Sequence, residues 1–151
     1  MAFYQVKYSQ VLPASMEEVW KFIASPTNLK HITPPSMGFE VLTKDLPEKM
    51  HAGMIIAYNV RPLFGINTPW VTEITRVEDG VYFVDEQRMG PYKMWHHQHR
   101  ISPVKEGVLM EDTITYIPPF GFIGAIANKL IIESKLKEIF EYRRKKLEER
   151  F

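Results

Sequence analysis

From Gly38 to Pro118 the chain alternates polar and apolar side chains with a period of two, and this long run limits what the remainder can become. The alternation breaks into strands over 39–43, 54–61, 69–77, 81–89, 93–102 and 108–117, and an amphipathic strand at Phe3–Val11 precedes them. Asp79-Gly80 separates two of these runs, and glycine there tolerates the positive φ of a tight turn. Gly90-Pro91 and Glu106-Gly107 mark the next two reversals. Strands joined by such short turns form an antiparallel meander, because parallel neighbours need crossovers of a dozen or more residues.

The flanks read as helices. Ser15 with Glu18 three residues later is a capping box, in which each side chain satisfies an otherwise orphaned backbone N–H. The helix it opens carries Val19, Trp20, Phe22 and Ile23 and ends at Pro26, and Leu29–Ile32 adds a second short helix before Pro34-Pro35. Beyond Pro118-Pro119, apolar positions at Ile132, Leu136, Ile139, Phe140 and Leu147 recur at three- and four-residue steps, with Arg143 in the same stripe. They predict a helix from Asn128 to Arg150, about 35 Å long. Strand, two short helices, six strands and a long helix make an α+β domain in which a curved seven-stranded antiparallel sheet wraps around the C-terminal helix. All of 1–151 is expected to be one such domain, a length at which a single core buries about 68–70% of the unfolded chain's surface.

Composition removes whole classes of function. Nineteen Lys+Arg against 18 Asp+Glu leave a formal charge of +1, no field for attracting nucleic acid. The absence of cysteine excludes thiol nucleophiles, disulfides and cysteine-ligated metals. No stretch reaches the roughly 18 apolar residues of a membrane span, and Met1-Ala2-Phe3-Tyr4-Gln5 lacks the basic and apolar regions of a signal peptide. Phosphate-loop, dinucleotide and nucleophile-elbow fingerprints are missing. The expectation is a cytoplasmic domain, monomeric or a homodimer, with no cofactor, no metal and a small molecule as its partner.

A sheet curled around a helix encloses a cavity unless bulky side chains fill it. Alternation places Phe83, Asp85 and Gln87 on the inner face of one strand, Trp95, His97 and His99 on the next, and Met110, Asp112, Ile114 and Tyr116 on the last. The turn positions set Asp85 opposite His97, Gln87 opposite Trp95, His99 opposite Asp112 and Trp95 opposite Tyr116. Facing residues have Cβ atoms about 4.5–5.5 Å apart, so two His–Asp hydrogen bonds are expected. The expected cavity walls are Trp20, Phe83, Trp95, Met110, Ile114, Tyr116, Leu136 and Phe140. Asp85, Gln87, His97, His99 and Asp112 would form its polar end, in a space of roughly 300–1,000 Å³.

The imidazole–carboxylate group admits several roles: a structural network, anchors for a bound molecule, or a general base at His97 or His99. His97-Gln98-His99 with a carboxylate also has the donor types of an iron or zinc site, although the carboxylates already occupy the imidazoles. His31, His51 and His96 read as solvated. Arg143-Arg144-Lys145-Lys146, flanked by acids, reads as a solvated helix end that complements the helix dipole. The uncharged stretch 118–126 reads as a helix lead-in, or as an apolar lip over the cavity mouth that its glycines allow to move.

Taken together, Asn28-Leu29, Ile32-Thr33-Pro34-Pro35, Phe83-Val84-Asp85-Glu86-Gln87, Gly90-Pro91-Tyr92, Trp95, His97, His99, Arg100, Asp112, Tyr116, Pro118-Pro119 and Ile139-Phe140-Glu141-Tyr142-Arg143 resemble the START/birch-pollen-allergen (SRPBCC) superfamily. The likeness is nearer to the bacterial ligand-binding branch often labelled cell-division-inhibitor-like. The resemblance implies a helix-grip fold and a hydrophobic cavity for a lipid, polyketide or similar molecule. Two alternatives stand beside binding: an aromatase/cyclase-type enzyme using a His–Asp pair as general base, and a protein-interaction module using 118–126.

Overall fold

The structure is a computed structural model that describes residues 2–62 and 65–151; Met1, part of the start read above, lies outside the described residues. Strand β1 (Tyr4–Leu12) leads to helix α1 (Met16–Ile23), whose N-terminus is the expected capping box: the Glu18 N–H donates to Ser15 Oγ and the Ser15 N–H to Glu18 Oε2. The second short helix is a 3-10 helix, Pro26–Ile32, and Pro35–Met37 forms another single 3-10 turn. Then follow β2 (Glu40–Val41), β3 (Met54–Val60), β4 (Thr68–Glu78), β5 (Tyr82–Met89), β6 (Met94–Val104) and β7 (Gly107–Ile117). Only two residues of the first meander strand pair, fewer than alternation suggested.

The seven strands form one antiparallel sheet in the order β1-β7-β6-β5-β4-β3-β2. Gly80 turns β4 into β5 at φ +74°, the conformation its position demanded. The β4–β5 register breaks twice, with Arg88 of β5 extra after Val71 and Thr75 of β4 extra after Ile74, and such bulges increase the local twist.

The C-terminal helix begins earlier than predicted. Helix α2 (Gly121–Ala127) runs through a π-helical turn, Asn128–Ile132, into α3 (Glu133–Arg150). The stretch 118–126 is therefore mostly helix. Gly124 is a packing glycine there, because a Cβ on it would sit 1.8 Å from the Pro119 carbonyl oxygen. Across the π turn, buried Asn128 accepts from the Tyr116 hydroxyl at 2.6 Å and donates to Glu133 at 3.2 Å. The turn fixes the rotation that sends Ile132, Leu136, Phe140, Arg143 and Leu147 inward. Among the described residues no helix is long and apolar enough to cross a membrane.

The core has two centres. One packs Leu12, Val19, Ile23, Ile101, Val108 and Leu147 beneath α1, and the other gathers Val60, Trp70, Tyr92, Ile114, Tyr116 and Phe140 against α3.

Candidate functional site

Between the two centres the concave face is incompletely filled. The cavity measures about 140 Å³ and is bounded by β3–β7, the first 3-10 helix and α3. It is smaller than expected because aromatic residues thicken its walls: Tyr58 stacks on Trp70 at 6.0 Å, Trp95 meets Trp70 edge-on at 5.3 Å, and Tyr92 lies 4.9 Å from Trp95.

The sheet register matches the expectation residue for residue at Asp85↔His97, His99↔Asp112 and Trp95↔Tyr116. The hydrogen bonds nevertheless run along the diagonals. His97 Nε2 bonds Asp112 Oδ1 at 2.8 Å, and His99 Nε2 bonds Asp85 Oδ2 at 2.6 Å. The directly facing contacts complete a ring: His99 Nδ1 lies 3.0 Å from Asp112 Oδ1 and His97 Nδ1 lies 3.6 Å from Asp85 Oδ2. The two imidazoles lie 3.6 Å apart between centroids, tilted by 31°, and each reaches past its facing partner to the next one along. Phe83 stacks on the outer side of His99 at 4.1 Å.

Burial by itself would raise both aspartates, but the imidazoles outweigh it and hold each carboxyl below its ordinary range. Both are therefore ionised, so the Nε2 atoms of His97 and His99 that bond them are the donors. For His99, burial works against charge, yet hydrogen bonds to Asp112 and Asp85 prevail and raise its pKa. His97 goes the other way: burial, reinforced by the neighbouring His99, pushes it down to about 4. The pair therefore divides in direction, His99 shifted toward its charged form between two carboxylates and His97 toward its neutral form.

Eight of the thirteen predicted site residues line the cavity: Phe83, Asp85, Trp95, His97, His99, Met110, Leu136 and Phe140. Five do not. Trp20 packs behind Phe83 and donates from Nε1 to Asp79 at 2.7 Å, which turns it away from the hollow. Gln87 closes the β5–β6 turn, donating to the Tyr92 carbonyl at 2.6 Å and accepting from its N–H at 3.1 Å. Asp112 stands behind the imidazoles and faces a polar groove between β1 and α3. Ile114 and Tyr116 are wholly buried beneath the aromatic wall, Tyr116 being held by Asn128. The stretch 118–126 contributes no lining residue, so it is not a lip of this cavity. It instead exposes Phe120, Phe122, Ile123 and Ile126.

The reading of Arg143 as solvated is overturned. It is 7% exposed and lines the cavity, its guanidinium carbon 4.7 Å above the Phe140 ring. Its place in the apolar stripe of α3 was the available signal, and the run of cations around it masked that signal. Tyr58, Thr72, Trp70 and Tyr92 are further lining residues that alternation did not single out.

Asp85, His97 and His99 bring potential metal-ligating atoms within 4.8 Å of one another. The Nε2 atoms of both rings are committed to carboxylates, so a cation using them would first have to displace those hydrogen bonds.

A family profile described as a domain of unknown function (DUF8410) matches residues 10–151. The chain belongs to this family. No curated protein matches it. Among solved structures, this DUF8410 chain is similar to a protein from Thermus thermophilus at 20% identity, with a TM-score of 0.71 over 97% of this chain and 96% of that one. A START superfamily protein from Mycobacterium smegmatis matches at 14% identity and TM-score 0.70, covering 97% and 95% of the two chains. A nucleoside-diphosphate sugar epimerase from Corynebacterium glutamicum matches at 20% identity and TM-score 0.65, over 95% of this chain but only 28% of that one. These likenesses establish the START-type helix-grip fold for the DUF8410 chain, as the sequence resemblance implied.

Proposed function

We propose that the chain binds a small, mostly apolar molecule in the hollow between sheet and α3. One observation supports this above the others: an aromatic-walled cavity in which a buried His–Asp ring and a buried arginine gather at one end. Apolar walls with a few placed polar groups are the usual composition of a ligand pocket. A cavity near 140 Å³ matches a single aromatic ring, since an engineered apolar cavity of about 150 Å³ holds benzene. Native mass spectrometry of the purified protein should show a co-purifying organic molecule or added toluene. Leu136→Trp, which fills the hollow from α3, should abolish it; a bare chain mass with no toluene uptake in the unaltered protein would end the proposal.

Catalysis is a second reading, favoured by His97 Nδ1, which lies 3.6 Å from its nearest carboxylate, beyond hydrogen-bond reach, on a neutral ring. A general base of the cyclase type would use that nitrogen. It predicts turnover lost in His97→Gln with toluene binding retained. The exposed apolar residues of 118–126 support the interaction reading, and a sedimentation profile unchanged on Phe122→Ser would count against self-association there.

A further inference from the structure

Arg143 is the least satisfied side chain among the described residues. Its Nε and Nη1 are buried with no hydrogen-bond partner there, and the carboxylate oxygen nearest Nη1, Asp112 Oδ1, stands 3.6 Å away. That oxygen already accepts from His97 at 2.8 Å and faces His99 at 3.0 Å. One face of the guanidinium is covered by Phe140. A second orphaned donor, Trp70 Nε1, belongs to another wall of the same cavity. Arginine and indole N–H groups donate only, and each buried donor left unmatched carries an uncompensated desolvation penalty. The missing component of the site is therefore an acceptor.

The charges around Arg143 narrow the acceptor. β5 supplies Asp85, β7 supplies Asp112, β6 supplies His97 and His99, and β3 supplies the Tyr58 phenol, which burial keeps protonated. Lys135 lines the same cavity and Lys137, Glu141 and Arg144 line the groove behind, all from α3, with Lys7 of β1 also on that groove. Inside the wall, the carboxylates of Asp85 and Asp112 already stand against Arg143 and the imidazole of His99 that lies between them. A carboxylate or phosphate ligand would add an unmatched negative charge to this buried set, which is expensive away from water. A hydrocarbon would leave the donors unsatisfied. A neutral carbonyl oxygen avoids both penalties.

Resting on the binding role proposed above, we infer that the cavity selects a small aromatic or aliphatic molecule bearing a neutral carbonyl, whose oxygen accepts from the Arg143 guanidinium. Ketones, esters and quinones share this chemistry; free acids and plain hydrocarbons do not. Sites built to hydrogen-bond a ligand discriminate against analogues lacking the group, because the buried donors are then stranded.

The test uses three single-ring probes of similar shape, acetophenone, ethylbenzene and benzoate, titrated against the full chain by ligand-observed NMR. Acetophenone is expected to bind about tenfold more tightly than either competitor. In Arg143→Met, which keeps length but removes every donor, its advantage over ethylbenzene should vanish while ethylbenzene binding is kept. Should that variant fail to fold, Arg143→Lys replaces the planar fork by a point charge and should reduce the advantage about threefold or more. Equal affinity for acetophenone and ethylbenzene in the unaltered protein, an advantage that survives both substitutions, or tightest binding of benzoate would overturn the inference while leaving a binding cavity in place. Failure of all three probes would overturn the binding role as well.

Discussion

His97 should make this fold acid-sensitive in a narrow window. Its imidazole is neutral and enclosed in the native state, with a pKa of about 4, against 6.5 in an exposed chain. Below pH 6.5 the unfolded chain binds a proton at this position that the folded chain refuses, so stability falls with pH until the folded value of about 4 is reached. With those two values the loss between about pH 7 and pH 4.5 comes to about 2 kcal/mol. That is a large part of the roughly 5–15 kcal/mol that holds a typical domain together, and it corresponds to a melting shift of about 4–8 °C at this chain length. Urea unfolding at both pH values, followed by tryptophan fluorescence, measures the loss directly. His97→Gln provides the control, since an amide still donates to Asp112 and does not titrate. Ionisable groups away from the ring contribute equally to both proteins and cancel in the difference, which therefore reads His97 together with its coupling to His99, Asp85 and Asp112. The variant should lose about 2 kcal/mol less than the parent over the same interval; parallel losses would refute the assignment of a buried neutral imidazole.

His99 carries the opposite sign. Its raised pKa contributes stability that is complete below pH 6.5 and is lost as pH rises through the folded value, so His99→Ala should flatten that alkaline decline. The same change leaves Asp85 and Asp112 short of a partner and should cost about 3–5 kcal/mol near neutral pH in chemical unfolding; a loss under about 0.5 kcal/mol, the scale of ordinary surface changes, contradicts the ring. Tyr116→Phe strands Asn128 Oδ1 at the π turn and should cost about 1–3 kcal/mol, with hydrogen exchange rising at 128–132 rather than across the sheet. Gly124→Ala drives a methyl into the Pro119 carbonyl and should cost about 1–3 kcal/mol by urea titration, whereas an unchanged midpoint would mean that α2 is not packed there.

The sheet was readable because alternation and turn residues act locally: the spacing around Gly90-Pro91 and Glu106-Gly107 sufficed to place Asp85 by His97 and His99 by Asp112. Which of the facing groups would bond was not readable, because an imidazole is long enough to reach two residues along the neighbouring strand, beyond what register specifies. Alternation gives Tyr116 the inner face, yet face does not distinguish a wall from the layer supporting it. Tyr116 sits one layer down because Asn128 pulls its hydroxyl toward the π turn, a turn that helical periodicity does not announce. Arg143 was hidden by composition, since three further cations follow it and only its position in the stripe sets it apart.

The pairing of β1 with β7, Tyr4 against Tyr116, joins the first and last strands of the sheet, which are synthesised far apart in time. Until Ile117 has emerged from the ribosome, the first strand has no template and β7 no outer neighbour. The sheet must therefore close late, by docking its oldest strand onto its newest one. A nascent chain stalled before that point would present β6 as an edge in place of β1, together with an unpaired first strand able to pair with another copy.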